Sequence, residues 1–256
     1  MRLDLVDISH RYGDIAALTD INLTIKDGEV VALIGPSGCG KSTLLSIVGG
    51  LLQPSSGTVY QQGETPPGCL NPLTYIFQDF ALLPWRTVEG NIRLVLGNHL
   101  VSRQERDHRV SDVLARTGLE EFRKAFPRQL SGGMRQRVGI ARALAVEPAV
   151  LLMDEPLSSL DAQTRAILME EFAGLFLKTG ITAVYVTHNL EEAVRLAHRV
   201  VALSRRPGRV KEIVEIPVPL QNRADSDPAL MRYRNRLWQL IRDEAIAADQ
   251  ELSHGR

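Results

Sequence analysis

The segment Gly35-Pro36-Ser37-Gly38-Cys39-Gly40-Lys41-Ser42 fits the pattern G-x-x-x-x-G-K-[ST] of a phosphate-binding loop. A short β-branched run, Val30 to Ile34, precedes it and a helical stretch, Lys41 to Gly50, follows it. That is the context the pattern requires. The glycines let the backbone curl so that successive N–H groups face one anion. The positive end of the helix adds to that field. Lys41 is suited to neutralising the β- and γ-phosphates, and Ser42 to offering its hydroxyl to Mg²⁺. Thr43, next in line, is in reach of an α-phosphate. The plain alternative is a glycine-rich turn with no ligand, and the loop by itself leaves kinase, GTPase and ATPase open.

Two further segments bear on the same chemistry. Val150-Leu151-Leu152-Met153-Asp154-Glu155-Pro156 is an apolar strand ending in two acids. Its buried residues deliver Asp154 to the C-terminal edge of a sheet, where open α/β sheets bind ligands. Asp154 can hold Mg²⁺ there, usually through water. Glu155 points elsewhere and can take a proton from an attacking water. Without a phosphate loop upstream, such a pair reads as a solvated loop or a helix cap. Leu130-Ser131-Gly132-Gly133-Met134-Arg135-Gln136-Arg137 offers a second anion site, with Ser131 capping a helix and two glycines exposing backbone N–H groups. Taken alone, it is equally an ordinary serine cap with flexible glycines.

The elements that hold these segments alternate between strand and helix, which predicts an α/β fold with a largely parallel sheet. Leu3 to Ile8 and Ile21 to Ile25 alternate like strands with one solvated face. Ala149 to Met153 and Ile181 to Thr187 read as core strands, joined through a helix over Asp161 to Lys178 into a βαβ unit. Residues from about Val88 to Ala145 carry helical patterns with charged faces, expected to form an inserted helical subdomain. Tyr60 to Leu73 reads as irregular. Pro217 to Pro228 reads as a polar linker, followed by a helix over Ala229 to Ala245. The expected division is 1–216 for the main domain and 217–256 for linker and helix.

Bulk properties narrow the function class. Lys plus Arg equals Asp plus Glu at 30 each, so no broad electrostatic grip on nucleic acid is expected. No apolar run approaches the roughly 18 residues needed to span a bilayer. Met1-Arg2-Leu3-Asp4 has no apolar stretch behind a basic end, so no signal peptide is expected. Two cysteines, Cys39 and Cys69, are too few for a disulfide scaffold or a zinc cluster, which suits a reducing cytoplasm.

Together, the phosphate loop, the Asp154-Glu155 pair and the Ser131-Gly132-Gly133 segment resemble the ATPase subunits of ABC transporters, over nearly the whole chain from Tyr12 to about Arg209. The resemblance implies a P-loop NTPase of ABC type: a RecA-like core, an antiparallel β subdomain and an inserted helical subdomain. It implies that two copies pair head to tail, so that Ser131 of one faces the γ-phosphate held by Lys41 of the other. Tyr12 resembles the aromatic that stacks on adenine. Gln78, in Phe77-Gln78-Asp79, resembles the glutamine that reaches Mg²⁺ or the water. Ser159-Leu160-Asp161 resembles the loop that crosses the dimer interface. His188 resembles the switch histidine that bonds the γ-phosphate and holds the water. The family often has Asp after this histidine; here it is Asn189. The other five histidines have no such context. ATP and Mg²⁺ are the implied ligands, with Glu155, His188, Lys41 and Gln78 at the reacting end.

Transport then needs separate membrane permease subunits. The run Phe80-Ala81-Leu82-Leu83-Pro84-Trp85 resembles the place where a short permease helix docks in a groove, the plain alternative being core of the helical subdomain. Leu82 to Val88 followed by Asn91, and Arg206-Pro207-Gly208-Arg209, resemble the nitrate, sulfonate and taurine importer ATPases. Such systems also use a periplasmic binding protein, and the ATPase sits on the cytoplasmic side of the inner membrane as a peripheral subunit. The C-terminal helix carries Arg232, Arg234, Arg236 and Arg242 beside an apolar face. It is expected to pack on its own domain, with contact to a second subunit or to lipid headgroups as the alternative. ABC ATPases of DNA repair or translation are a rival class, disfavoured by the single phosphate loop, the short helical segment and the neutral charge. A non-hydrolysing nucleotide sensor is disfavoured by the presence of Glu155 and His188.

Overall fold

A computed structural model describes residues 1–79, 81–97, 99–158, 160–223 and 227–254. Two long strands open the chain. β1 (Arg2–Tyr12) and β2 (Ile15–Ile25) pair antiparallel, with Leu3 opposite Ile25. Next come β3 (Val30–Ile34), α1 (Lys41–Val48) and β4 (Ser56–Gln62), which joins the far side of β1 to give an antiparallel sheet of order β2-β1-β4. Tyr60, expected in an irregular stretch, is therefore in a strand. β4 is almost wholly exposed, so it lacks the alternating apolar signal that marks a half-buried strand.

The second sheet is the scaffold of the site. β5 (Leu73–Ile76), β6 (Val150–Asp154), β7 (Thr182–Val186), β8 (Arg199–Leu203) and β9 (Val210–Glu215) join β3 in the order β5-β6-β7-β3-β8-β9. All neighbours are parallel except β8 and β9. Both faces are covered, which explains why β3, β6 and β7 read as continuous apolar runs. The pleat sorts their side chains into two cores. Val30, Ala32 and Ile34 of β3 join Leu151 and Met153 of β6 in the core beneath the helices. Val31 and Leu33 join Val150 and Leu152 in the core shared with α1 and the antiparallel sheet.

Between β5 and β6 lie α2 (Val88–Leu96), α3 (Arg103–Arg116) and α4 (Gly132–Leu144). Each starts at a side-chain cap: Thr87, Ser102 and Ser131 accept from Gly90, Glu105 and Met134 N–H respectively. α5 (Ala162–Thr179) and α6 (Leu190–Leu196) follow β6 and β7. α7 (Pro228–His254) is longer than expected and packs against α6, β8 and β9 through Leu230 and Leu237. Its arginines 232, 234, 236 and 242 face outward, and Arg236 pairs with Glu212. The packing reading of this helix is the one its contacts support. The side chain of Ala245 lies outside the described residues.

The stretch expected to be a polar linker is pinned. Residues 224–226 lie outside the described residues, but Arg223 just before them is 6% exposed. Its guanidinium donates to the carbonyls of Val218, Val194, Ala197 and Ile216 at 2.7–3.1 Å, satisfying the last turn of α6. Burial lowers its pKa to about 10, so it remains charged at neutral pH. Arg223→Met leaves those buried carbonyls without donors, and we predict a loss of about 3 kcal/mol in urea unfolding, at unchanged m-value.

Candidate functional site

The phosphate loop closes the turn from β3 to α1. Gly40 precedes α1 with φ 99°, and Gly38 has φ 75°, both in the region that L side chains avoid. Gly40 has no room for a side chain either, since a Cβ there would come within 2.7 Å of Leu18 Cδ2. Lys41 is 8% exposed, and its Nζ donates to the carbonyls of Gly35 (2.9 Å) and Pro36 (2.8 Å). It also lies 3.8 Å from Cys39 Sγ, a thiol whose pKa burial raises. The loop thus wraps its own cation, while Ser37 stays exposed at the rim.

Ser42, on the first turn of α1, donates to Asp154 Oδ1 at 3.0 Å. The Tyr75 hydroxyl comes within 3.5 Å of the other carboxylate oxygen. Burial raises the Asp154 pKa, and the Ser42 hydrogen bond opposes that rise. Burial and the adjacent Asp154 both raise the Tyr75 phenol. Glu155 leaves the strand line because its own φ is 46°. A non-glycine residue in that region costs about 1–2 kcal/mol. The turn is held by Glu155 N–H to Val186 O (3.0 Å) and by Ser158, whose N–H and hydroxyl both donate to Glu155 O.

His188 Nδ1 lies 3.3 Å from Glu155 Oε2, so the histidine and the acid proposed as base are in contact. The turn that carries His188 is stiff. Thr187 Oγ1 donates to buried Glu192 at 2.7 Å and accepts from Asn189 N–H at 2.9 Å. Asn189 accepts from Glu191 and Glu192 N–H and so caps α6. The missing charge at position 189 leaves that cap intact, since Asn and Asp cap equally well. Gln78 Nε2 donates to Ser158 Oγ at 3.3 Å, joining the end of β5 to the turn after Asp154. Tyr12 is half exposed, and its hydroxyl lies 3.4 Å from Thr43 Oγ1 on α1. Gly35 to Thr43, Gln78, Asp154, Glu155, His188 and Tyr12 therefore share one end of the molecule.

The remaining expected residues form a second group. Ser131 caps α4 and Asp161 caps α5, accepting from Thr164 N–H (3.0 Å) and Oγ1 (2.7 Å). Among the described residues, no hydrogen bond links this pair to the phosphate loop. Ser159 lies outside the described residues. A Cβ on Gly133 would come within 2.6 Å of Thr164 Cγ2, so packing of α4 on α5 explains that glycine. Gly132 is different: a Cβ there would meet only Leu160, at an ordinary 3.8 Å. Nothing among the described residues demands glycine at 132.

Residues outside the expected set also shape the site. Gln136 is fully buried on α4 and donates to Pro156 O, the residue after Glu155. Tyr75, Ser158, Thr187 and Glu192 support the acids and the histidine. None stands in a spacing pattern of its own; Gln136 and Thr187 fall within segments that the sequence singled out, but without a role of their own. Asn91, also fully buried, accepts from Leu83 N–H and donates to the carbonyls of Leu83, Arg86 and Thr87, pinning the loop after Gln78. Phe80 lies outside the described residues; Leu82 packs on the core, and Trp85 is 71% exposed. Beside this loop, Tyr75, Val95, His99 and Arg142 line a cleft of about 270 Å³.

Ser42, Asp154 and Gln78 offer a hydroxyl, a carboxylate and an amide oxygen, the hard oxygen donors that Mg²⁺ takes alongside phosphate and water. The Ser42–Asp154 contact fits that ion, and Ser158 holds Gln78 at the turn that follows Asp154. Behind the loop, Gly208 of the Arg206-Pro207-Gly208-Arg209 turn bonds to β2 through Ala17 and Thr19. A Cβ at Gly208 would lie 2.2 Å from Cys39 O, so the turn is a backstop for the phosphate loop. Gly208→Ala must push that loop. We predict about tenfold weaker ATP binding by calorimetry, with little change in far-UV circular dichroism.

Comparison with known proteins identifies the family and the fold. Residues 18–158 match the family model described as ABC transporter. The chain is 42% identical over 232 residues to an uncharacterized ABC transporter ATP-binding protein of Methanocaldococcus jannaschii, covering 91% of this chain and 86% of that one. It is 39% identical over 266 residues to the nitrate import ATP-binding protein NrtD of Synechocystis, covering 97% and 100%. The dimeric ATP-binding cassette MJ0796 bound to ADP and Pi superposes with a TM-score of 0.71 at 34% identity, covering 84% of this chain and 98% of that one. A P-loop NTPase core with an antiparallel sheet, these motifs and these relatives lead to one assignment: the chain belongs to the ATP-binding proteins of ABC transporters.

Proposed function

We propose that this chain is the ATP-hydrolysing subunit of a bacterial importer for nitrate, a sulfonate, taurine or a related small solute. Residues 1–216 are its ATPase domain and 217–256 the C-terminal extension, whose described helix α7 packs on α6, β8 and β9. One observation carries the catalytic reading. Four segments far apart in sequence converge on one sheet edge, with Ser42 bonded to Asp154 and Glu155 in contact with His188. ATP lies along Gly35-Pro36-Ser37-Gly38-Cys39-Gly40, with its base on Tyr12. Lys41 exchanges its two loop carbonyls for β- and γ-phosphate oxygens. Ser42 and Gln78, with Asp154 through water, would hold Mg²⁺, which would supply positive charge against the phosphates. Glu155 takes the proton of the attacking water. His188 keeps that water and the γ-phosphate in line.

Two copies complete the site. The absence of any hydrogen bond, among the described residues, from Ser131 or Asp161 to the phosphate loop supports this, as does the lack of a described clash that would require glycine at 132. Glycine there lets backbone N–H groups come close to a partner's γ-phosphate at the start of α4. Closure strengthens each electrostatic contact by excluding water. Permease subunits receive the resulting rigid-body motion at the Trp85 loop and the neighbouring cleft. No described helix is long and apolar enough to cross a membrane, which is why separate permease subunits belong in this reading. The complex sits at the cytoplasmic face of the inner membrane and receives solute from a periplasmic binding protein. Likeness to NrtD supports the solute class. Nucleic acid is not a partner in this reading, and a net charge of zero supports that.

Glu155→Gln is predicted to keep ATP binding, to accumulate as a closed dimer on size-exclusion chromatography, and to lose about 100-fold or more in kcat. Turnover at the parent rate would exclude Glu155 as the base. For the two-copy reading, Lys41→Ala and Ser131→Arg chains are each inactive, and mixing them restores one intact composite site and measurable hydrolysis. A mixture as inactive as its components refutes the shared cage. Deleting the gene lowers uptake of nitrate, a sulfonate or taurine; unchanged uptake of all three overturns the solute class.

A further inference from the structure

Of the six histidines, one is buried against the proposed nucleotide site and takes no part in the chemistry above. His10 on β1 is 7% exposed. Both of its ring nitrogens are shielded from solvent and have no hydrogen-bond partner among the described residues. A desolvated polar group without a partner is costly, and such a group in a folded protein calls for a reason. Its immediate neighbour supplies one. The His10 and Tyr12 rings are 4.6 Å apart between centroids and cross at 79°. That is the edge-to-face arrangement favoured by ring quadrupoles, in which the electropositive rim of one ring meets the electron-rich face of the other.

Tyr12 needs such support. It is 51% exposed at the edge of the phosphate loop, and its only described hydrogen-bond contact is the 3.4 Å approach of its hydroxyl to Thr43 Oγ1. A hydroxyl tether at the tip of a phenol leaves the ring free to rotate about its long axis. A second ring packed at right angles removes that freedom. We propose that His10 is a positioning residue that fixes the plane of the Tyr12 ring for stacking on adenine. This rests on the reading of Tyr12 as the adenine platform and adds a determinant to it. The order of the ring is set inside the protein, from the buried side, before the base arrives. His10 therefore acts on the part of the affinity that comes from the base and not on the part that comes from the phosphates, which belongs to Lys41 and the loop.

The separation of those two parts gives the test. Titration calorimetry on the full chain measures ATP, which has a base, against inorganic tripolyphosphate, which has none. His10→Leu fills the same buried space without a ring and is expected to weaken ATP binding about three- to tenfold while leaving tripolyphosphate unchanged. His10→Phe restores a ring and is expected to return ATP binding to within twofold of the parent. Tyr12→Ala is the control for the platform itself and should weaken ATP at least as much as His10→Leu. If Tyr12→Ala weakens ATP but His10→Leu does not, the platform stands and the role given to His10 is wrong. Equal loss of both ligands in His10→Leu, or no rescue by His10→Phe, also overturns it, because either points to a general structural role. If Tyr12→Ala leaves ATP unaffected, the platform and its brace fail together.

Discussion

A single hydrogen bond of 3.0 Å, from the Ser42 hydroxyl to the Asp154 carboxylate, joins positions 112 residues apart. Everything at the site depends on the constraint that makes this bond possible. A sheet buried on both faces leaves only its edges for chemistry, and its five parallel strands, β5, β6, β7, β3 and β8, all end on the same edge. In spatial order, β5 delivers Gln78, β6 delivers Asp154 and Glu155, β7 delivers His188 and β3 delivers the phosphate loop. The apolar runs that read as buried strands therefore fix the order of the reactive groups. Helical motifs hung on a less rigid frame could carry the same residues without bringing them to one line.

Much of this is legible in the sequence itself. The phosphate loop, the acids after β6 and the serine cap of α4 lie in continuous segments, and continuous segments carry their own context. What was hidden is what depends on non-adjacent chain. β4 has no buried face, so no period marks it. Arg223 stands in a polar, proline-bearing stretch that gives no hint of burial, because its partners are carbonyls at the end of α6 and just after β9, and carbonyls have no sequence signature. Gln136 and Asn91 are likewise buried amides whose role is to satisfy backbone groups elsewhere. His10 could not be distinguished from the other histidines by spacing, since its significance comes from a ring packed against it.

The division of the site into two groups also follows from packing. α4, capped by Ser131, lies against α5 at Gly133 and Thr164, so the start of this helix cannot turn back toward the phosphate loop without losing that contact. At the same time Gln136, farther along α4, touches the residue that follows Glu155. One helix thus has its N-terminus turned outward and its flank against the strained turn that carries the acid. The Glu155 turn is supported from three directions, by Val186, by Ser158 and, through Pro156, by Gln136. Strain of about 1–2 kcal/mol persists only where the surroundings over-determine it.

The buried amide of Asn91 bears on how the molecule meets other proteins. It ties down three residues of the loop that holds Trp85 aloft, while the indole itself remains in water. Association commonly loses much of its gross contact energy to freezing of mobile backbone. Here Asn91 already holds Leu83, Arg86 and Thr87, so covering the indole would cost little further ordering of that backbone.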